Sequence, residues 1–273
     1  MNRVDCLKLY FGEPYQITDN ITLFQPTIQG IMDYGEIDFY SMVHNFLGNT
    51  TQKKLWLWNN GIDWNKISDY ELFCNLVRNY SQEETAILFG DIDFTKFDLY
   101  GLEDPAPEPE PEGKETAVQR NKRKFREFER TRTFINSEQG IEINAETYHF
   151  LVSVMREMFR NYPKTEYAPN KSTKELMIEE EQNKIKKAEL EKKDSDNESI
   201  LLPLISFCVN HPGFKYKKSE LKEVQIYEFM DSVGRLNIYE STRALLTGTY
   251  SGFCDTSKVP KTQFDFMRTI DHK

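Results

Sequence analysis

The residues able to do chemistry are few and scattered. Four histidines, His44, His149, His211 and His272, lie far apart, and none shares the HxH or HExxH spacing that sets two imidazoles on one metal. Asp91-Ile92-Asp93 has the spacing of a carboxylate pair able to hold a divalent cation, but such triplets are common where a turn enters a strand. Asn170-Lys171-Ser172-Thr173 offers a Lys-Ser pair without the preceding glycines of a phosphate-binding loop, and no GxSxG elbow marks a serine nucleophile. No constellation converges on a reaction. The sequence therefore predicts a protein that is not an enzyme, with no catalytic residues, metal, cofactor or small-molecule substrate.

What remains is a binding chemistry. Arg120, Lys122, Arg123, Lys124, Arg126, Arg130 and Arg132 form a cationic run interleaved with Phe125 and Phe128, and they are the candidate interaction surface. Cations with aromatics between them can contact phosphates and stack on bases. Glu127 and Glu129 within the run, and the acidic stretch before it, argue against nucleic acid. That stretch, residues 103–116, alternates proline with glutamate, a composition that fills neither helix nor sheet interior and extends by charge repulsion. It reads as a linker or exposed loop. An acidic block beside a basic one suits either self-association within the chain or a basic surface offered to a partner.

The whole-chain balance narrows the class further. A net charge of −9 disfavours non-specific binding to nucleic acid or anionic membrane. Hydrophobic residues at 38% keep the chain outside the disordered class, and 19 Phe, 14 Tyr and 3 Trp predict an aromatic core. Cys6, Cys74, Cys208 and Cys254 are widely separated with no CxxC pair, which fits a reducing, cytosolic compartment. The first residues lack the apolar run of a signal peptide, and the longest apolar stretch, Ile200 to Val209, is half the length needed to span a bilayer.

The elements follow from hydrophobic spacing. Residues 5–25 read as a β-hairpin or short meander turning at Gly12-Glu13-Pro14 and around Asp19-Asn20. From Thr27 the period becomes helical through Phe39, Met42, Val43, Phe46 and Leu47. Ser68-Asp-Tyr-Glu71, Ser81-Gln-Glu-Glu84 and Ser172-Thr-Lys-Glu175 each read as a capping box opening a helix. The Trp56, Trp58 and Trp64 cluster is expected to be core. A hairpin is expected at Thr133–Asn136 and Ile141–Ile143, followed by an Asn144-capped helix. Its stripe is Tyr148, Leu151, Val152, Met155, Met158, Phe159 and Tyr162. The charged run to Lys193 predicts a solvated or protruding helix. Three further helices are expected: Ile200–Val209, apolar all round and so buried, then Leu221–Gly234 and Tyr239–Leu246, with an irregular tail to Lys273. The predicted fold is α+β and predominantly α-helical, with an N-terminal β-hairpin plus helices, a central hairpin and a C-terminal helical bundle. Its expected divisions are an α+β domain at 1–100, an acidic linker and basic segment at 101–132, and a helical domain at 133–273.

Three groups of strings carry a resemblance. They are Leu9-Tyr-Phe-Gly-Glu-Pro-Tyr15 with Gln25-Pro-Thr-Ile-Gln-Gly-Ile-Met-Asp-Tyr-Gly-Glu36; Gly61-Ile-Asp-Trp64 with Ile67-Ser-Asp-Tyr-Glu-Leu-Phe73 and Leu88-Phe-Gly-Asp-Ile-Asp-Phe94; and Leu202-Pro-Leu-Ile-Ser206 with Pro212-Gly-Phe-Lys-Tyr216, Phe229-Met-Asp-Ser-Val233 and Tyr250-Ser-Gly-Phe253. In these the chain resembles tail-morphogenesis proteins of phages and prophages of low-GC Gram-positive bacteria, encoded near the tape-measure gene. The Pro-Glu linker looks like an insertion relative to that group. The resemblance implies a non-enzymatic tail-assembly protein of the host bacterial cytoplasm, a chaperone for the tape-measure protein, with the tube subunit a possible further partner. The alternative it implies is a structural virion component of the neck, baseplate or tail-completion kind.

Overall fold

The structure is a computed structural model and describes residues 3–101, 115–191, 199–252 and 255–270. The Pro-Glu stretch expected as a linker lies, up to residue 114, outside the described residues. Helix accounts for 57% of the chain, with two small sheets, so the fold is predominantly helical α+β.

The N-terminal segment departs from the expected strand. Cys6–Tyr10 is a short helix, α1, because the Asp5 carboxylate accepts from the Leu7 and Lys8 amides and starts a turn that apolar alternation alone does not reveal. The hairpin follows, β1 (Tyr15–Thr18) against β2 (Ile21–Leu23), with Tyr15, Ile21 and Leu23 buried. Helices α2 (Ile28–Tyr34) and α3 (Glu36–Leu47) are separated by Gly35 at φ 97°, a conformation only glycine adopts without strain. Along α3 the expected Phe39, Met42, Val43, Phe46 and Leu47 are all buried.

Helices α4 (Lys54–Asn59), α5 (Asp69–Val77) and α6 (Gln82–Phe89) come next. The box at Ser81 and Glu84 is reciprocal. Ser68 caps α5, accepting from the Glu71 amide at 3.0 Å, and the Glu71 carboxylate turns back to the Ser68 amide. The aromatics form one continuous core. Phe46 stacks on Phe89 at 5.0 Å and meets Phe94 edge-on at 5.1 Å, and the series continues through Phe97 to Phe134.

The strand β3 (Asp98–Gly101) pairs with β4 (Arg132–Asn136), and β4 with β5 (Ile141–Ile143), all antiparallel. Between β3 and β4 runs helix α7 (Ala117–Thr131), which carries the cationic run. Helix α8 (Ala145–Met158), capped by Asn144, is the central element. Its whole stripe from Tyr148 to Met158 is buried, and so is Val154 on a second side, because α3, α5, α11 and β1 surround it. The division expected at residues 100 and 133 does not separate two cores. One buried cluster runs from Leu9 to Leu236, and the β3–β4 pairing crosses the boundary.

The C-terminal third holds three long elements. Helix α9 (Lys171–Glu191) projects as expected, anchored by Ile178 in a second small cluster with Leu57, Trp64, Ile67 and Leu72. Its cap is Asn170, whose side chain accepts from the Thr173 amide, so the expected box at Ser172 sits inside the first turn. Helix α10 (Leu201–Asn210) is not buried all round. Leu201 and Cys208 face the core, while Leu202 is 63% exposed and Phe207 and Val209 are also open to solvent. Helix α11 (Ile226–Tyr250) is one helix where two were expected. Gly234 does not break it; a Cβ there would lie 2.7 Å from Ile270, so glycine admits the C-terminal segment against the helix. Arg235 secures that segment by donating to the Arg268 carbonyl at 2.8 Å.

Candidate interaction surface

Thr116 caps α7 through a reciprocal box with Gln119, and the helix lies over α5 and β4. Its inner positions recur at helical spacing. Val118, Asn121, Phe125 and Phe128 are half-buried, Phe128 lies against the Tyr70 ring, and the Asn121 amide donates to the Asn65 carbonyl at 2.8 Å. The cations therefore do not form one uniform face. Arg123 binds Glu115 at 3.2 Å, and Arg126 and Arg130 are also engaged. Arg132 has left the helix and belongs to β4, its guanidinium close to Gly101. Arg120, Lys122 and Lys124 make no ion pair among the described residues and are exposed.

Those three cations line two adjoining depressions between α7 and the body. The first, about 410 Å³, has an apolar lining from Trp64, Ile67, Val118, Phe125 and Tyr167, with Lys122 and His149 among its polar groups. The second, about 590 Å³, brings Arg120 and Lys124 together with Lys66 and Lys174. Asn121 and Tyr167 border both. Asp63 is bound to Lys174 at 2.5 Å and lies 3.9 Å from Lys66. Three carboxylates also line the first depression: Asp69 accepts from the Thr50 amide, Glu166 pairs with Lys54, and Glu129 lies 3.8 Å from His149. Trp64, 2% exposed, is different. Its indole N–H has no acceptor, and an unpaired buried donor costs about 1–3 kcal/mol. Trp64 is core with an unmet donor, Trp58 is half-buried, and Trp56 is 48% exposed.

A second surface is the outer side of α10. The Glu36 carboxylate accepts from the Leu201 amide at 2.6 Å and from the Ser199 hydroxyl, fixing the start of α10 beside the start of α3. Ile37, next to Glu36 in sequence, and Ile200 and Leu202, on either side of Leu201, are each more than half exposed.

Several of the other reactive types have structural roles. Asp93 caps a short turn, accepting from the Thr95 amide at 3.0 Å and hydroxyl at 2.6 Å. Burial pushes the Cys74 thiol up to about 12 and the Cys208 thiol up to about 11, so both remain protonated and weakly nucleophilic. One polar cluster was not visible in the sequence. Arg160, at φ 50°, binds Glu157 at 2.8 Å, Asp231 at 3.1 Å and the Tyr227 hydroxyl at 3.1 Å, joining the end of α8 to α11. Burial raises Tyr227 well above its ordinary value, so it serves this network as a neutral phenol. Among the described residues, no three His, Cys, Asp or Glu side chains gather as a metal site, and no helix is long and apolar enough to cross a membrane. Comparison of the chain with protein-family models, with curated proteins and with solved structures gave no match in any of the three.

Proposed function

We propose that this chain is a phage tail-assembly protein that acts by binding rather than by catalysis. Its client is the tape-measure protein, held in the host cytoplasm until tube subunits polymerise around it. The resemblance of three stretches suggests the role, and the observation that carries its mechanism is the outer side of α10. A helix whose apolar residues are turned to solvent exposes surface that a monomer gains by covering. An amphipathic partner helix laid on Leu202 and Val209, which share one face seven residues apart, would bury what the fold leaves open there, contributing roughly 1–2 kcal/mol for a side chain as exposed as Leu202. The net charge of −9 supports the same reading, since an acidic exterior keeps the complex from self-association while leaving the attraction to apolar burial.

Co-expression tests the proposal. The tape-measure protein, insoluble alone, should appear in the soluble fraction with this chain and return to the pellet when Leu202 and Val209 are both replaced by glutamate. Mass spectrometry of purified virions separates the two assembly roles. A chaperone is missing from finished particles, whereas a neck, baseplate or tail-completion component is present at symmetric copy number.

A further inference from the structure

The paired depressions beneath α7 are independent of the α10 surface and of the role proposed for it. We propose that they form one binding site for an aromatic anion, an aromatic ring carrying or adjoining a carboxylate or phosphate. The apolar chamber supplies walls from Trp64, Val118, Phe125 and Tyr167, and its volume of about 410 Å³ suits one ring system. Lys122 and His149 stand among its polar groups, while Asp69 accepts from the Thr50 amide and Glu166 pairs with Lys54.

The adjoining chamber supplies the charge. Arg120, Lys124, Lys66 and Lys174 share it, and among the described residues its lining holds no carboxylate and only Asp63, outside it, pairs with the two lysines. In a chain of net charge −9 such a concentration of cations is a local exception. Lys174 lies 5.9 Å from the Trp64 ring centroid, so the two chambers meet within the length of one ligand. A ring in the first chamber places its anionic group beside the cations of the second. Two sources carry this chemistry: a free nucleotide, or a partner segment with an aromatic side chain next to acidic ones.

The test uses 8-anilinonaphthalene-1-sulfonate as the probe, with energy transfer from tryptophan as the readout. The full chain should bind it saturably at one site, more weakly as salt is raised. Arg120→Glu with Lys124→Glu, both exposed and therefore tolerable to the fold, should weaken binding about tenfold or more. Val118→Trp, which fills the apolar chamber, should abolish it, with circular dichroism confirming a folded variant. Leu202→Ser with Phe207→Ser should leave it unchanged. Competition then assigns the source: displacement by AMP indicates a nucleotide, and displacement by the peptide Ac-Glu-Phe-Glu-Glu-NH2 a partner segment. Binding unaffected by the charge reversals, binding lost only with the α10 changes, or displacement by neither competitor would overturn the proposal.

Discussion

Replacing Arg160 probes how the C-terminal third is joined to the core. The side chain is 15% exposed and bridges Glu157 on α8 and Asp231 on α11, each also 15% exposed, while its guanidinium lies 4.6 Å from the Tyr227 ring centroid. Arg160→Ala leaves two largely buried carboxylates with little compensation, a change that typically costs about 3–5 kcal/mol. Arg235, 3.7 Å from Asp231, retains part of the pairing, so the lower end, about 3 kcal/mol, is expected. The backbone supplies an internal control. Arg160 sits at φ 50°, a conformation costing a non-glycine residue about 1–2 kcal/mol. Arg160→Gly removes that strain along with the ion pairs and should be more stable than Arg160→Ala by about 1 kcal/mol. Urea denaturation followed by circular dichroism measures both differences. A loss below about 1 kcal/mol for Arg160→Ala, or Arg160→Gly the less stable of the two, would refute the account of this junction.

Three further outcomes are expected. Met155→Asp places a charge at a fully buried point of α8 and should cost more than about 3 kcal/mol, read as loss of the cooperative unfolding transition. Burial, and secondarily Lys53, lowers the His44 imidazole below its ordinary 6.5. The unfolded chain then binds this proton more readily, so stability falls as pH drops below about 6.5, and His44→Gln should remove that part of the slope in denaturant titrations between pH 7 and 5. Finally, residues 102–114 must join Gly101, beside Arg132 at the end of α7, to Glu115 at its start. That separation is about 22 Å, which about seven extended residues cover. Deleting four residues of this connection should leave thermal stability nearly unchanged, whereas deleting 103–112 should unpair β3 or unwind α7, seen as a lowered Tm.

The parts of the fold legible in the sequence were those governed by local period and caps. The α3 and α8 stripes, the β4–β5 hairpin, the Asn144 cap and the Ser81 box depend on residues within a few positions of one another. What was not legible depended on distant partners. Whether an all-apolar helix such as α10 is interior or peripheral is decided by how many neighbours reach it, and only Leu201 and Cys208 are fully covered. Gly234 reads as a break until Ile270 is brought against it. The cationic run was visible, but its division was not: Arg123 is satisfied by Glu115, and Arg120 and Lys124 join Lys66 and Lys174 only through the tertiary fold. For Arg160 only Glu157, three residues earlier, is local; Asp231 and Tyr227 reach it from α11 through the tertiary fold.

The proposed attraction of the tape-measure protein to the apolar side of α10 stands or falls on how their binding responds to salt. Between 0.1 and 1 M salt the screening length falls from about 10 Å to about 3 Å, which weakens contacts between exposed charges and leaves apolar burial intact. The account predicts a dissociation constant that changes less than about threefold over that range and rises at least tenfold with Leu202→Glu and Val209→Glu. Binding that disappears at 1 M salt would shift the contact to the cations of α7. No binding at any salt, with the chain present in finished virions, would contradict the claim outright.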